Sequence, residues 1–173
     1  LILGKELPSD SEVNNKYLRS AKFFESWLNH KILLQDDKQV IYIYEQKFSY
    51  KKQDYTRLGF MALLKLEEFS HGKVYPHEST LSKPKADRLN LMRASSAQFE
   101  PIFGIYSDKQ EKINKILKKY MKRKPSIDIK DSLKIKHRIW KIDKKKDLTA
   151  VIKNMKDKTV FIADGHHRYE ATI

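Results

Sequence analysis

The sequence predicts an α/β protein of the α+β kind, in which helices pack on a mixed sheet. Three features predict it. The run Ile41-Tyr42-Ile43-Tyr44 is β-branched and aromatic throughout, and a second segment of strand character follows after a short polar loop. Residues 108–123 place Ile113, Ile116, Leu117 and Tyr120 on one side of a helix and lysines on the other. The compact apolar segment 159–163 runs into Asp164-Gly165, a turn from which a last helix starts near His166. Helices joined to strands by both short and long connections suit a mixed sheet.

In chain order, residues 10–30 read as a helix, because Tyr17, Ala21, Phe24 and Leu28 recur at helical spacing. Ser9 or Asp10 is its expected cap, Glu12 falls in its first turn, and Trp27 reads as packing. Residues 39–49 and 55–66 read as strands around a hairpin loop at 50–54, antiparallel because the connection is short. Gly59 marks a close approach or bulge in the second strand. Residues 73–80 form a polar loop and 85–98 a helix with Leu89 and Met92 inward; 101–106 is a short strand. Pro125 ends the helix over 108–123. Residues 133–142 read as a strand, 148–155 as a short helix and 159–163 as a buried strand.

Composition bounds the function. A chain of 173 residues with 40% hydrophobic and 11% aromatic residues can bury a core and is not disordered. No stretch approaches the roughly 18 apolar residues of a membrane span. Residues 1–173 read as a single-domain fragment of a longer protein, because the chain opens without Met and closes in mid-pattern. The absence of cysteine excludes disulfides, thiolate nucleophiles and Cys-ligated zinc, and fits the cytoplasm. The net charge of +14 is concentrated between residues 108 and 158, which carry about +12. It is mostly Lys, is spread over helix and strand, and comes with no nucleic-acid motif. It therefore reads as a solvated face, with no specific nucleic-acid partner expected.

Two segments carry candidate chemistry. At Asp164-Gly165-His166-His167-Arg168, a helix following a glycine turn offers backbone N–H groups to an anion. The dipole contributes only about 0.3–1 kcal/mol, against about 4 kcal/mol for millimolar binding. Arg168 and one or both histidines are the further donors that the shortfall requires. A metal reading competes, with His166 and Glu170 four residues apart and Asp164 joining them, as does a purely structural turn. The second segment is Tyr75-Pro76-His77-Glu78-Ser79-Thr80 followed by Asp87-Arg88, where His77 and Glu78 suit acid–base work. Equally available are a capping role for Thr80 and a surface ion pair for Asp87-Arg88. His137-Arg138 reads as structural, and His30 and His71 as ordinary surface residues. No phosphate loop, dinucleotide fingerprint or nucleophile elbow is present.

The run Ile162-Ala163-Asp164-Gly165-His166-His167-Arg168-Tyr169-Glu170 resembles the hallmark of domain-of-unknown-function family 1015. So do Pro76-His77-Glu78 with Asp87-Arg88-Leu89, Ala97-Gln98-Phe99 before Pro101-Ile102-Phe103, and His137-Arg138-Ile139-Trp140. Ser79 stands where members often have Arg, and an upstream Pro-Tyr-Asp-Val motif is absent. The hallmark is similar to the Gly-x-x-Arg phosphate-binding element of the ParB/sulfiredoxin superfamily, which includes free-serine kinases. The resemblance implies a nucleotide (ATP or ADP, with Mg²⁺ brought by its phosphates) held by Asp164, Gly165, His166, His167 and Arg168. It implies a small-molecule phosphotransferase or nucleotide hydrolase, with His77, Glu78 and His167 as candidate catalytic residues. Asp164 is the expected Mg²⁺ carboxylate, and no structural metal is expected. The alternative is a non-catalytic ligand- or nucleic-acid-binding domain in which the turn is structural.

Overall fold

The computed structural model describes residues 1–69, 72–78 and 82–173, apart from the side chains of Ser82 and Lys83. His71, Ser79 and Thr80 lie outside the described residues. The elements run α1 (Lys16–Asn29), β1 (Ile41–Tyr50), β2 (Gln53–Met61), β3 (Val74–Tyr75), α2 (Ser82–Ser95), β4 (Phe103–Tyr106), α3 (Lys112–Met121), β5 (Ile127–Lys130), β6 (Lys136–Ile142), α4 (Lys145–Met155), β7 (Val160–Asp164) and α5 (His166–Glu170). The α/β content is as expected, but the described strands form two sheets, one antiparallel and one mixed, in place of one. They belong to two compact units. Unit 1 joins Leu1–Gln35, Leu66–Tyr106 and Thr159–Ile173; unit 2 joins Asp36–Lys65 and Ser107–Lys158.

In unit 1, α1 starts at Lys16, later than the expected start at residue 10, although it keeps the apolar stripe from Tyr17. Residues 8–14 turn on themselves, and the Asn15 side chain accepts from the N–H groups of Tyr17 and Leu18. Asn15 is therefore the cap, while Asp10 pairs with Arg19 across the first turns. Lys16 and the Tyr17 hydroxyl both reach Asp87 on α2, at 2.7 and 2.9 Å, and Phe24 meets the edge of Phe99. The sheet order is β3-β7-β4, with β3 parallel and β4 antiparallel to the central strand. Val74, Ile162 and Tyr169 form its core, with Phe69 and Ile102 packed against them. The close backbone approach lies at Gly104, not Gly59. A Cβ at Gly104 would sit 2.7 Å from Val160, beside a register shift in β4, whereas one at Gly59 would meet nothing.

Unit 2 is built on the antiparallel sheet β2-β1-β6-β5. Lys51 and Lys52, both at positive φ, make the two-residue hairpin turn whose twist matches that of the strands. Strand alternation sends Ile41 and Ile43 to the same side as Trp140 and Ile142. There they are buried with Ile113, Leu117 and Tyr120 of α3 and Val151 of α4. Glu45 continues this buried row and accepts from Arg138 Nε at 2.7 Å, an arrangement that satisfies both charges. Strand β5 was not expected from sequence. Only four residues long and exposed throughout, it pairs with β6 after Pro125. Asp131 and Lys134, the latter at φ 65, turn the chain back, so β6 begins three residues after the expected start. Asp108 precedes α3 and still serves it, accepting from the N–H groups of Ile113 and Asn114 at 3.0 Å each.

Asp147 ties α4 to α3. It accepts from the Tyr120 hydroxyl at 2.8 Å and from Lys119 at 3.0 Å. These two bonds hold its carboxyl below the ordinary carboxylate value, and burial together with Asp147 pushes Tyr120 up to about 12. The carboxylate's contribution to stability is therefore present above the unfolded value near 3.8 and lost as pH falls through the lower folded value. Tyr120 contributes below pH 10 and loses its contribution as pH rises through about 12. Asp147→Asn is expected to destabilise the protein by roughly 1.5–3 kcal/mol at neutral pH, the scale of a charged hydrogen bond. It should also flatten the stability profile below about pH 4. Urea titrations across that range check both; an unchanged midpoint at pH 7 would refute the assignment.

Candidate functional site

The site in unit 1 begins where β7 ends. Gly165 has φ +95°, a conformation that side-chain-bearing residues rarely adopt, and it converts strand into the single turn of α5. With five residues, α5 supplies little macrodipole, so anion binding here rests on side chains more than on the helix end. Successive positions of that turn diverge. His166 points into the interior and is 1% exposed, whereas His167 and Arg168 are both half-buried.

Arg168 folds back over Gly165. Its Nη2 donates to Asp164 at 2.7 Å, and a Cβ on Gly165 would lie 2.8–3.1 Å from the guanidinium. Glycine is required by its φ, whereas the guanidinium, at the far end of a flexible side chain, could shift to admit a Cβ. Glu100 lies 3.8 Å from Arg168 and 3.7 Å from Arg88, so two guanidinium groups converge on one carboxylate. The three residues line a small pocket with Gln98 and Phe99, and Arg168 Nε is buried there without a hydrogen-bond partner. The pocket is about 20 Å³, room for one small group rather than a whole nucleotide.

His166 belongs to a different cluster. The backbone N–H of His77 donates to its Nε2 at 3.2 Å, and the two rings meet edge to face, centroids 4.5 Å apart. Glu78 Oε1 is 3.0 Å from His166 Nδ1, within ion-pair distance but off the line of a hydrogen bond. His77 Nδ1 lies 2.7 Å from the Ile162 carbonyl. A carbonyl only accepts, so Nδ1 carries the proton and the exposed His77 keeps a lone pair on Nε2.

The expected residues therefore fall into two groups. His77, Glu78 and His166 come together, and Asp164, Gly165 and Arg168 come together, but His77 and Glu78 do not line the Arg168 pocket. His166 is not available to a phosphate as expected, because its ring is buried and bonded inward. The Asp164–His166–Glu170 metal set does not form: Asp164 pairs with Arg168, and Glu170 with Lys85 at 3.0 Å. Glu100 is the residue that sequence reasoning missed. Its only signal was its place between Phe99 and Pro101 in the segment that resembles the family.

His77, Glu78 and His166 offer ligand atoms within 4.8 Å of one another, a spacing that fits a metal ion. The hydrogen bonds argue otherwise. Because Nε2 of His166 accepts from a backbone N–H, its Nδ1 holds the proton and has no lone pair for a metal. Glu78 then serves as the acceptor that a small rotation would bring into line.

A two-sheet α/β protein with paired arginines at a glycine-turned strand–helix junction is the class that fold and site define. The chain belongs to the family described as "Protein of unknown function (DUF1015)", which matches residues 1–173. No curated protein and no solved structure matches the chain.

Gly165→Ala should destabilise the protein by roughly 1–3 kcal/mol, from strain at the positive φ. Gly59→Ala, in open space, should change stability by less than about 1 kcal/mol. Urea unfolding of the two variants compares them directly, and equal effects would contradict the geometry. Elemental analysis of tag-free protein is expected to find no stoichiometric zinc or iron; one ion per chain would overturn the tautomer assigned to His166.

Proposed function

We propose that unit 1 binds the phosphate of a small molecule, a nucleotide such as ATP or ADP, at the Arg88–Glu100–Arg168 pocket. The observation that carries this reading is the convergence of two arginines on Glu100, with a buried guanidinium N–H left unpartnered. A phosphate offers the bidentate acceptors that two guanidinium forks prefer, and in this reading it displaces Glu100. At about 20 Å³ the pocket holds little more than a water as it stands, so in this reading the phosphate head enters only as Glu100 leaves, and the rest of the nucleotide lies outside. Gly165 does not line this pocket; in this reading it seats Arg168, and Asp164 is free to meet Mg²⁺ once Arg168 turns to the phosphate.

The likeness of the hallmark to ParB/sulfiredoxin phosphate elements suggests a kinase-like phosphotransfer or hydrolysis in the cytoplasm, a setting that the lack of cysteine fits. In that reaction a substrate hydroxyl or water would attack the terminal phosphorus and the bond to the bridging oxygen would break, leaving a nucleotide one phosphate shorter: a diphosphate from ATP or a monophosphate from ADP. His77 Nε2 carries a lone pair but does not line the phosphate pocket, so this reading assigns it no proton from the attacking hydroxyl. His167 is the remaining candidate for holding substrate.

A second reading, in which the turn is purely structural, is favoured by the Asp164–Arg168 pair and the interior position of His166. Calorimetric titration with ATP, ADP, CTP and pyrophosphate separates the two. Arg168→Ala and Arg88→Ala should each weaken binding by about 1.5–3 kcal/mol, and Glu100→Gln should leave it intact or tighten it. If no titrant binds while Arg168→Ala still lowers stability, the structural reading holds.

A further inference from the structure

Unit 2 carries 25 of the 36 lysines and arginines but 11 of the 22 acidic residues, so the whole net charge of +14 resides there and unit 1 is neutral. Lysines in excess are often only a solvated face. The sheet of this unit adds a second, independent feature. One face, with Ile41, Ile43, Trp140 and Ile142, is buried, and α3 packs against it. On the other, the register aligns Tyr42, Tyr44, Gln46, Phe48 and Tyr50 of β1 with Met61, Gly59, Arg57, Tyr55 and Gln53 of β2. Lys141, Ile139 and His137 of β6, then Ile127 and Ile129 of β5, continue the same face. None of these residues is buried.

This face alternates rings and cations. Phe48 and Tyr55 stack at 5.8 Å, with Arg57 over Phe48 at 5.5 Å. Lys141 lies over Tyr42 and Lys51 over Tyr50. Tyr44 is held in place by a chain of hydrogen bonds. Asp131 accepts from His137 Nε2 at 3.1 Å, so His137 Nδ1 accepts from the Tyr44 hydroxyl at 2.7 Å, and the two rings lie parallel. Opposite Tyr44 stands Gly59, whose missing side chain leaves open space beside the ring. Along β1 the rings of Tyr42 and Tyr44 are one two-residue repeat apart, roughly 6.8 Å.

We propose that this face binds single-stranded nucleic acid without sequence preference, its bases stacking on Tyr44, Phe48 and Tyr55 and its phosphates meeting the lysines of the unit. Stacking needs exposed rings and a positive surround, and tolerates any base, because every base has a π-face. A duplex hides those faces, so the platform favours single strands. Acidic peptides would use the charge but not the rings. A second copy of this chain would bring +14 against +14.

Fluorescence anisotropy of the whole chain tests this with labelled strands of about twelve nucleotides, a length within the reach of such platforms. The probes are oligo(U), oligo(dT), an abasic strand of equal length and a duplex. The two base-bearing strands should bind about ten-fold or more tightly than the abasic strand, with affinity falling steeply as salt rises. Their ratio tells RNA from DNA preference. Tyr55→Ala, at an exposed position, and Phe48→Ala should each shrink the advantage over the abasic strand while leaving the circular dichroism spectrum unchanged. The abasic comparison stands even where a variant misfolds. Equal affinity for abasic and base-bearing strands, preference for the duplex, or no binding at low salt would overturn the proposal. So would a sedimentation experiment showing a dimer that Tyr55→Ala disperses.

Discussion

The site in unit 1 depends on one backbone conformation. At φ +95°, Gly165 turns the chain sharply enough that His166 enters the interior while Arg168, two residues on, returns over the turn itself. The inward histidine is then met by the backbone N–H of His77, and the His77 ring by the carbonyl of Ile162 on β7. A loop distant in sequence is thereby fastened at two points, one on β7 and one on α5. The arginine is met by Asp164 and Glu100. An L side chain at 165 would strain the positive φ and push the guanidinium aside, so both clusters would lose their common anchor. The hallmark residues are thus first an architectural lock, and any chemistry is built on its exposed parts.

Much of the fold was legible because periodicity reports burial. The stripe Ile113, Leu117, Tyr120 and the alternation Ile41, Ile43 are buried as their spacing required. Boundaries were less legible, because side chains several residues away decide them. Asn15 rather than Asp10 caps α1, since Asp10 is drawn to Arg19. Strand β5 was missed because Ile-Asp-Ile-Lys is short, exposed on both faces and stabilised only by pairing with β6. The two-sheet division was invisible for a similar reason: each unit is assembled from segments far apart in the chain, and no local pattern records that pairing.

At the site, Asp164, Gly165 and Arg168 could be read from the turn chemistry. Their separation from His77 and Glu78 could not, because helical spacing gives directions around an axis but not what lies opposite. That His166 faces inward follows from its partners on a remote loop. Glu100 carried no signal of its own; its role comes from Arg88 on α2 and Arg168 on α5 meeting at one point.

The charge partition gives the two units different binding physics. In unit 1 cations and carboxylates balance in number, and both arginines of the pocket already face Glu100. An anion entering there exchanges one carboxylate partner for another, so it gains only what its geometry adds: more acceptor oxygens, and a partner for the buried Nε. Such an exchange discriminates by shape and depends weakly on salt, because few counterions are released. Unit 2 holds a true excess of cations, so a polyanion there displaces mobile ions instead of resident side chains, and the gain falls with ionic strength. Charge alone selects poorly among polyanions; the rings of the open sheet face are what add a preference. On these two proposals, selectivity would come from local pairing in the neutral unit and from aromatic surface in the basic one.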